Sequence, residues 1–301
     1  MKKSTIFFFS AIICILGSIG FFAANAIAKS PAGNRAKDKS LIRKNFPVST
    51  DFDAVKLEGV ADIVYSESAS AAGRSVYAMV PKCMLPYLKI TNRDGRLVIS
   101  TANDNKHESI NCKVRATVYI TGGSLRDIEL EGVGNFSVKG TLHASSEGLD
   151  IDLEGVAAFS APIIRAANSK IKVDAEGVGN IDLGDVTCRL LDISSQGTSN
   201  LTASRLKAST LDIEAEGTGM VRLDNISVSD CKVDNEGTSI VSLGGRASYV
   251  EFINSGTGNI EARGLAAERG SAIASGTGSI SCNVARLSKS CDFPAKIKNI
   301  R

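Results

Sequence analysis

One six-residue phrase constrains this chain more than any other feature. Glu176-Gly177-Val178-Gly179-Asn180-Ile181 is rewritten as Glu131-Gly132-Val133-Gly134-Asn135-Phe136, Glu154-Gly155-Val156-Ala157-Ala158-Phe159 and Gln196-Gly197-Thr198-Ser199-Asn200-Leu201. Further copies begin at Glu216, Glu236, Ser255 and Ser275, and an isolated early copy begins at Glu58. The first glycines of the contiguous set fall at 132, 155, 177, 197, 217, 237, 256 and 276. A period of roughly twenty residues is too short for each unit to bury its own core, so the units must stack.

Columns counted from each glycine show how they stack. Four before it stand Ile128, Ile151, Val173, Ile193, Ile213, Val233 and Phe252; four after it stand Phe136, Phe159, Ile181, Leu201, Val221, Val241, Ile260 and Ile280. Apolar residues alternate within each run, which is strand periodicity. Three short strands per coil, each with one face inward, describe an all-β, right-handed parallel β-helix. Glycine at the corner lets the backbone bend where a β-carbon would obstruct it. The next position is Val or Thr throughout, and Asn135, Asn180, Asn200 and Asn259 share a column in which side-chain amides can ladder.

The rest of the chain divides around this body. Residues 1–28 read as a signal peptide: Met1-Lys2-Lys3 is basic, Ile6 to Phe22 is apolar, and Ala26-Ile27-Ala28 fits a small-x-small cleavage site. The alternative is an uncleaved membrane anchor, since the apolar run approaches spanning length. Residues 29–45 are polar and basic and read as a flexible linker. Residues 46–121 break the period and carry strand-like runs around the hairpin turn Asn92-Arg93-Asp94-Gly95, giving an N-terminal β subregion that covers the open end of the stack. The coils occupy 122–285, and 286–301 form a C-terminal cap or tail.

Charge is uneven. The linker and tail hold eleven of the 35 basic residues but two of the 32 acidic ones, leaving 22 basic against 30 acidic residues at 46–285. Basic ends suit anionic lipid or glycan, and membrane contact is expected only there or through an uncleaved signal segment. No stacking aromatics accompany these charges, which argues against nucleic acid. Six cysteines follow the signal, and export permits disulfides; six thiols allow fifteen pairings, of which Cys83–Cys112 is one candidate. Cys188, Cys231 and Cys282 fall on inward columns, where cysteine acts as a small hydrophobe.

The candidate site is the column before the glycine: Glu131, Glu154, Glu176, Glu216 and Glu236, interrupted by Gln196. Like charges on adjacent rungs repel. Such a stripe suits a ligand or cationic partner, against the plainer reading of a solvated corner whose carboxylates splay apart or accept backbone amides. Calcium needs six or more converging oxygens, and no metal ligand set or cofactor motif is assigned. Coil lengths vary by only a few residues, which leaves no long inserted loops to assemble a catalytic cleft. His107 and His143 lack a nucleophile pattern and read as surface residues, and the scattered tyrosines are a weak glycan signal.

Phe52-Asp53-Ala54-Val55, the hairpin from Leu88-Lys89-Ile90 to Leu97-Val98-Ile99, Val118-Tyr119-Ile120 and the Gly-x-Gly corners together resemble the bacterial head GIN domain, an auto-transporter adhesin-like family of uncharacterised function. The resemblance spans about residues 46–285. It implies a β-helical fold at the envelope or cell surface and supplies no catalytic residues. Family corners typically read Ser-Gly-Ser-Gly-Asp, whereas this chain writes Glu-Gly-Val-Gly-Asn and returns to Ser-Gly-Thr-Gly only at 255–258 and 275–278. The expected function is an exported, non-catalytic solenoid that binds a surface glycan or envelope protein. The rival readings are a polysaccharide-active β-helix enzyme and a purely structural envelope rod.

Overall fold

The computed structural model describes residues 41–101, 112 and 114–301. The expected signal peptide, the expected linker up to residue 40 and His107 lie outside the described residues. The chain forms a β-solenoid of about nine turns. Each turn stacks on the next in parallel register, and the repeat columns are the register: Val156 pairs with Val133 and Val178, and Phe159 with Phe136 and Ile181. The third wall runs into the first without a break in several coils, as in the strands Ile163–Ala175 and Asp185–Ser195.

The isolated Gly59 corner is the first rung of the same stack. Ala54–Leu57 and Ala61–Glu67 pair in parallel with Asp127–Leu130 and Val133–Lys139, 73 residues further on. The intervening segment leaves the coil path to extend two walls. Arg96–Thr101 pairs with Ala54–Leu57 and with the antiparallel Leu88–Arg93. Ala116–Gly122 pairs with Ala61–Glu67, followed outward by the antiparallel Ser75–Pro81. A disulfide joins Cys83 to Cys112 across a Cα separation of 6.0 Å.

Two boundaries differ from the sequence reading. Leu41–Asn45, inside the expected linker, is a strand paired antiparallel with Ser75–Pro81, and Arg43 lies 4.1 Å over the ring of Tyr77. Order therefore begins before Phe46, because the exposed edge of Ser75–Pro81 offers backbone partners that outweigh a polar composition. At the other end, Ser279–Cys291 carries the coil past residue 285, and Lys296–Asn299 adds one more parallel segment. Lys289 there stands in register with Ala272, at an inward column that is apolar in the coils before it. Lys289 itself is exposed, and a charge on this last rung discourages further strand addition.

The interior is filled by the columns read from sequence. Phe136, Phe159, Ile181 and Leu201 are 0–1% exposed, and burial of each such side chain stabilises by roughly 1.5–3 kcal/mol. Cys188, Cys231 and Cys282 are buried free thiols among them. Burial pushes the Cys188 and Cys231 thiols up to about 12, which keeps them protonated. Ser195, Asn235 and Asn254 are buried beside the corner, where sequence alternation would place apolar residues. Asn235 Nδ2 donates to the Ser239 carbonyl and to Asn254 Oδ1, and Asn254 Nδ2 donates to the Gly258 carbonyl, so these amides close the corner from inside.

The corner glycines are required by stacking more than by bending. A β-carbon at Gly155, Gly177, Gly197 or Gly217 would lie 2.0–2.1 Å from the carbonyl oxygen of the glycine one rung below. Among the first glycines of the corners, only Gly276 has a left-handed φ, at 89°. We expect Gly177→Ala to lower stability by about 3 kcal/mol, at the upper end of overpacking costs. Val178→Thr, which copies the later coils, should cost less than about 1 kcal/mol. Urea unfolding followed by circular dichroism measures both.

Candidate functional site

The corner places its glutamates by hydrogen bonding that involves the backbone alone. The amides of Glu176 and Gly177 both donate to the Leu153 carbonyl one rung below, at 3.0 and 2.8 Å, and Glu216 and Gly217 do the same to Ser195. With those amides committed to the stack, the carboxylates are free to turn outward. Glu131, Glu154, Glu176, Glu216 and Glu236 are all exposed at the surface. The structure therefore lines up the five residues read from sequence, with Gln196 between them.

It also places two further acidic columns on the same wall. Outward positions alternate with the buried ones, so Glu129, Asp152, Asp174, Glu214 and Asp234, interrupted by Ser194, flank the glutamates, and Asp127, Asp150, Asp192, Asp212 and Glu251, interrupted by Lys172 and Lys232, stand beyond them. The sequence reading tracked the apolar half of this alternation and passed over the acidic half. Strings such as Asp150-Ile151-Asp152-Leu153-Glu154 carried the signal, since period-two acid and apolar residues make a half-buried strand with a charged outer face.

Neutralising cations are concentrated at the N-terminal end of this wall. Lys56 Nζ lies 2.9 Å from Glu129 Oε1, 2.6 Å from Glu131 Oε1 and 3.9 Å from Glu58. Arg96 pairs with both Asp127 and Glu129. Burial opposes ionisation of Glu129, but the bond from Lys56 and the charge of Arg96 hold its carboxyl below the usual carboxylate range. Glu129, Glu131 and Glu154 bring carboxylate oxygens within 4.8 Å of one another, and the Lys56 ammonium already sits against two of them.

Further along the wall the compensation thins. Lys172 pairs with Asp174, and Lys170 Nζ lies 2.7 Å from Asp192. Asp152 faces Asp174 on the next rung, and burial together with that neighbouring carboxylate pushes its carboxyl up to about 7. Glu214 is raised by desolvation and by Glu216, and Asp234 by burial. Asp234 also keeps one carboxylate oxygen buried without a hydrogen-bond partner. A surface that holds carboxylates against their own repulsion is set up to attract cations.

Other candidates resolve plainly. His143 is an exposed surface residue with Nδ1 2.9 Å from Glu67 Oε2. Tyr65 is buried, donating to the Gly123 carbonyl, and Tyr77 and Tyr119 stack 4.8 Å apart beneath Arg43. Neither Tyr65 nor Tyr77 presents an open sugar-stacking face.

With the architecture and wall in view, comparison with known proteins places the chain. The family model described as "Putative auto-transporter adhesin, head GIN domain" matches residues 51–225 and 216–290. The chain belongs to this family. Among curated proteins none matches its sequence. Similar crystal structures include a "putative adhesin" from Bacteroides fragilis at 19% identity and TM-score 0.53, covering 87% of this chain and 98% of that one. A "putative adhesin" from Parabacteroides distasonis, at 19% identity and TM-score 0.60, covers 87% and 98%. A "putative lipid binding protein" from the same species, at 15% identity and TM-score 0.64, covers 88% and 98%. At these identities the likeness is one of fold. This head GIN domain protein therefore shares its fold with these relatives.

The Asp152–Asp174 contact gives a signed expectation. A carboxyl raised above its unfolded value contributes stability that is present below about pH 4 and lost as pH rises towards 7. Asp152→Asn should flatten that dependence and raise stability at pH 8 by on the order of 1 kcal/mol, after discounting for partial exposure. Urea midpoints of both proteins between pH 4 and 8 test this.

Proposed function

We propose that this protein is exported and acts as a non-catalytic binding module of the cell envelope, presenting its acidic wall to a basic segment of an envelope protein. The observation that carries the reading is the set of acidic columns on one continuous outward wall, paired at its N-terminal end with Lys56 and Arg96, and with Lys232 as the cation in register among Asp212, Glu214, Glu216, Asp234 and Glu236. Repulsion along such columns costs stability, and a cationic partner would offset it. Family membership supports an adhesin-like role, and the signal-like N-terminus supports export. The near-constant coils support the absence of a catalytic cleft, since their corners follow one another without long insertions. The lipid-binding name of one structural relative, together with the basic tail, supports a secondary contact with anionic headgroups at the C-terminal end.

Retention of the purified protein on isolated cell envelopes across ionic strength tests the reading. Binding should weaken steeply with salt, and Glu176→Gln/Glu216→Gln/Glu236→Gln should weaken it at least tenfold at low salt while raising stability. Unchanged retention alongside raised stability would reduce the wall to scaffold. Release of products from a polysaccharide panel would instead establish the enzymatic alternative.

A further inference from the structure

The last corner of the stack breaks the glycine rule. Cys291 stands in register with Ala274 and Lys296 with Ser279, so Phe293 takes the place that Gly276 holds on the rung below. The Asp292 amide still makes the corner bond, donating 2.9 Å to the Ala274 carbonyl. A β-carbon at Gly256 or Gly276 would lie 2.1 or 2.5 Å from a carbonyl oxygen beneath, so a side chain cannot enter the stack at this place. Phe293 accordingly stands clear of the coil, 98% exposed, and Ile300 at the same end is 51% exposed.

The end face around Phe293 is apolar inside and cationic outside. Leu287 continues the inward column of Val250 and Gly270, and Ile297 that of Ile260 and Ile280. Both are half-buried and floor a trough of about 490 Å³ that Lys289, Lys298 and Arg301 also line. Arg286 and Lys296 are exposed on the same last rungs. Asn299 closes one side of the coil, accepting from the Val284 amide at 3.0 Å and donating to its carbonyl at 2.8 Å. Residues 286–291 pair with residues 269–274 on one edge, and among the described residues no strand pairs with the other.

We propose that this end docks on an anionic phospholipid bilayer, with Phe293 entering the interface and the surrounding cations meeting headgroup phosphates. The proposal deepens the headgroup contact read above at the C-terminal end and rests on that reading; it does not depend on the acidic wall. Residues 286–301 carry five basic side chains against Asp292, whereas 46–285 carry 22 against 30 acidic ones. A negative surface repels such a body and attracts its end, so the molecule approaches end-on. An aromatic side chain flanked by Lys and Arg suits the boundary between headgroups and acyl chains. A second copy fits poorly, because two such ends would set like charges together and the lysines discourage an added strand.

The test uses the chain without residues 1–28, so that their apolar run does not anchor it, and measures sedimentation with phosphatidylglycerol/phosphatidylcholine vesicles. Saturable binding is expected to these vesicles and not to phosphatidylcholine alone. Lys296→Gln/Lys298→Gln should weaken it at least about tenfold. Lys37→Gln/Lys39→Gln, which removes equal charge from the expected linker, should not weaken it, and neither should Glu176→Gln/Glu216→Gln/Glu236→Gln. The sequence contains no tryptophan, so Phe293→Trp reports from this position alone. Its emission should shift to the blue on the vesicles, with Tm unchanged. Unchanged emission in the bound state would overturn the insertion and leave the headgroup contact standing. No binding to anionic vesicles, or binding that survives Lys296→Gln/Lys298→Gln or falls equally with the linker pair, would overturn both.

Discussion

The structure depends on how closely one rung approaches the next at the corner. There a glycine carbonyl accepts from the amide of the rung above at about 3 Å, as Gly155 does from Val178 and Gly177 from Thr198. The preceding carbonyl takes two amides at once, as Leu153 does from Glu176 and Gly177. A β-carbon cannot enter that space. Removing the side chain allows the backbone to pair continuously around the turn, so the three walls share one register instead of slipping past one another. Both outward faces inherit their order from this constraint.

That order creates the electrostatic problem visible on the first wall. Parallel, in-register stacking puts every residue beside its equivalents above and below, so any acidic position in the repeat becomes an acidic column. Where Lys56 and Arg96 reach across the columns, the carboxylates are paired and Glu129 is stabilised as an anion. Where cations thin out, Asp152, Glu214 and Asp234 are held towards their protonated forms by burial and by neighbouring carboxylates. A chain that needed only a rod could have alternated charge along each column, as Asp150, Lys172 and Asp192 partly do. On the neighbouring wall the same stacking sets Asn135 against Asp62 and Asn200 against Asn180, whose side chains hydrogen-bond along the column.

The sequence by itself determined the repeat, the inward columns and the glutamate series, because in a solenoid equal positions occupy equal environments and periodicity maps directly onto space. It determined the family as well, through the corners and the N-terminal hairpin together. Tertiary structure alone decided what spans distant rungs. The Gly59 corner joins the stack across 73 residues, bringing Lys56 to Glu129 and Glu131 and Asp62 to Asn135. Leu41–Asn45 is a strand only because Ser75–Pro81 offers it an edge. Pairing of this kind arises from three-dimensional proximity, which no local pattern of residues encodes.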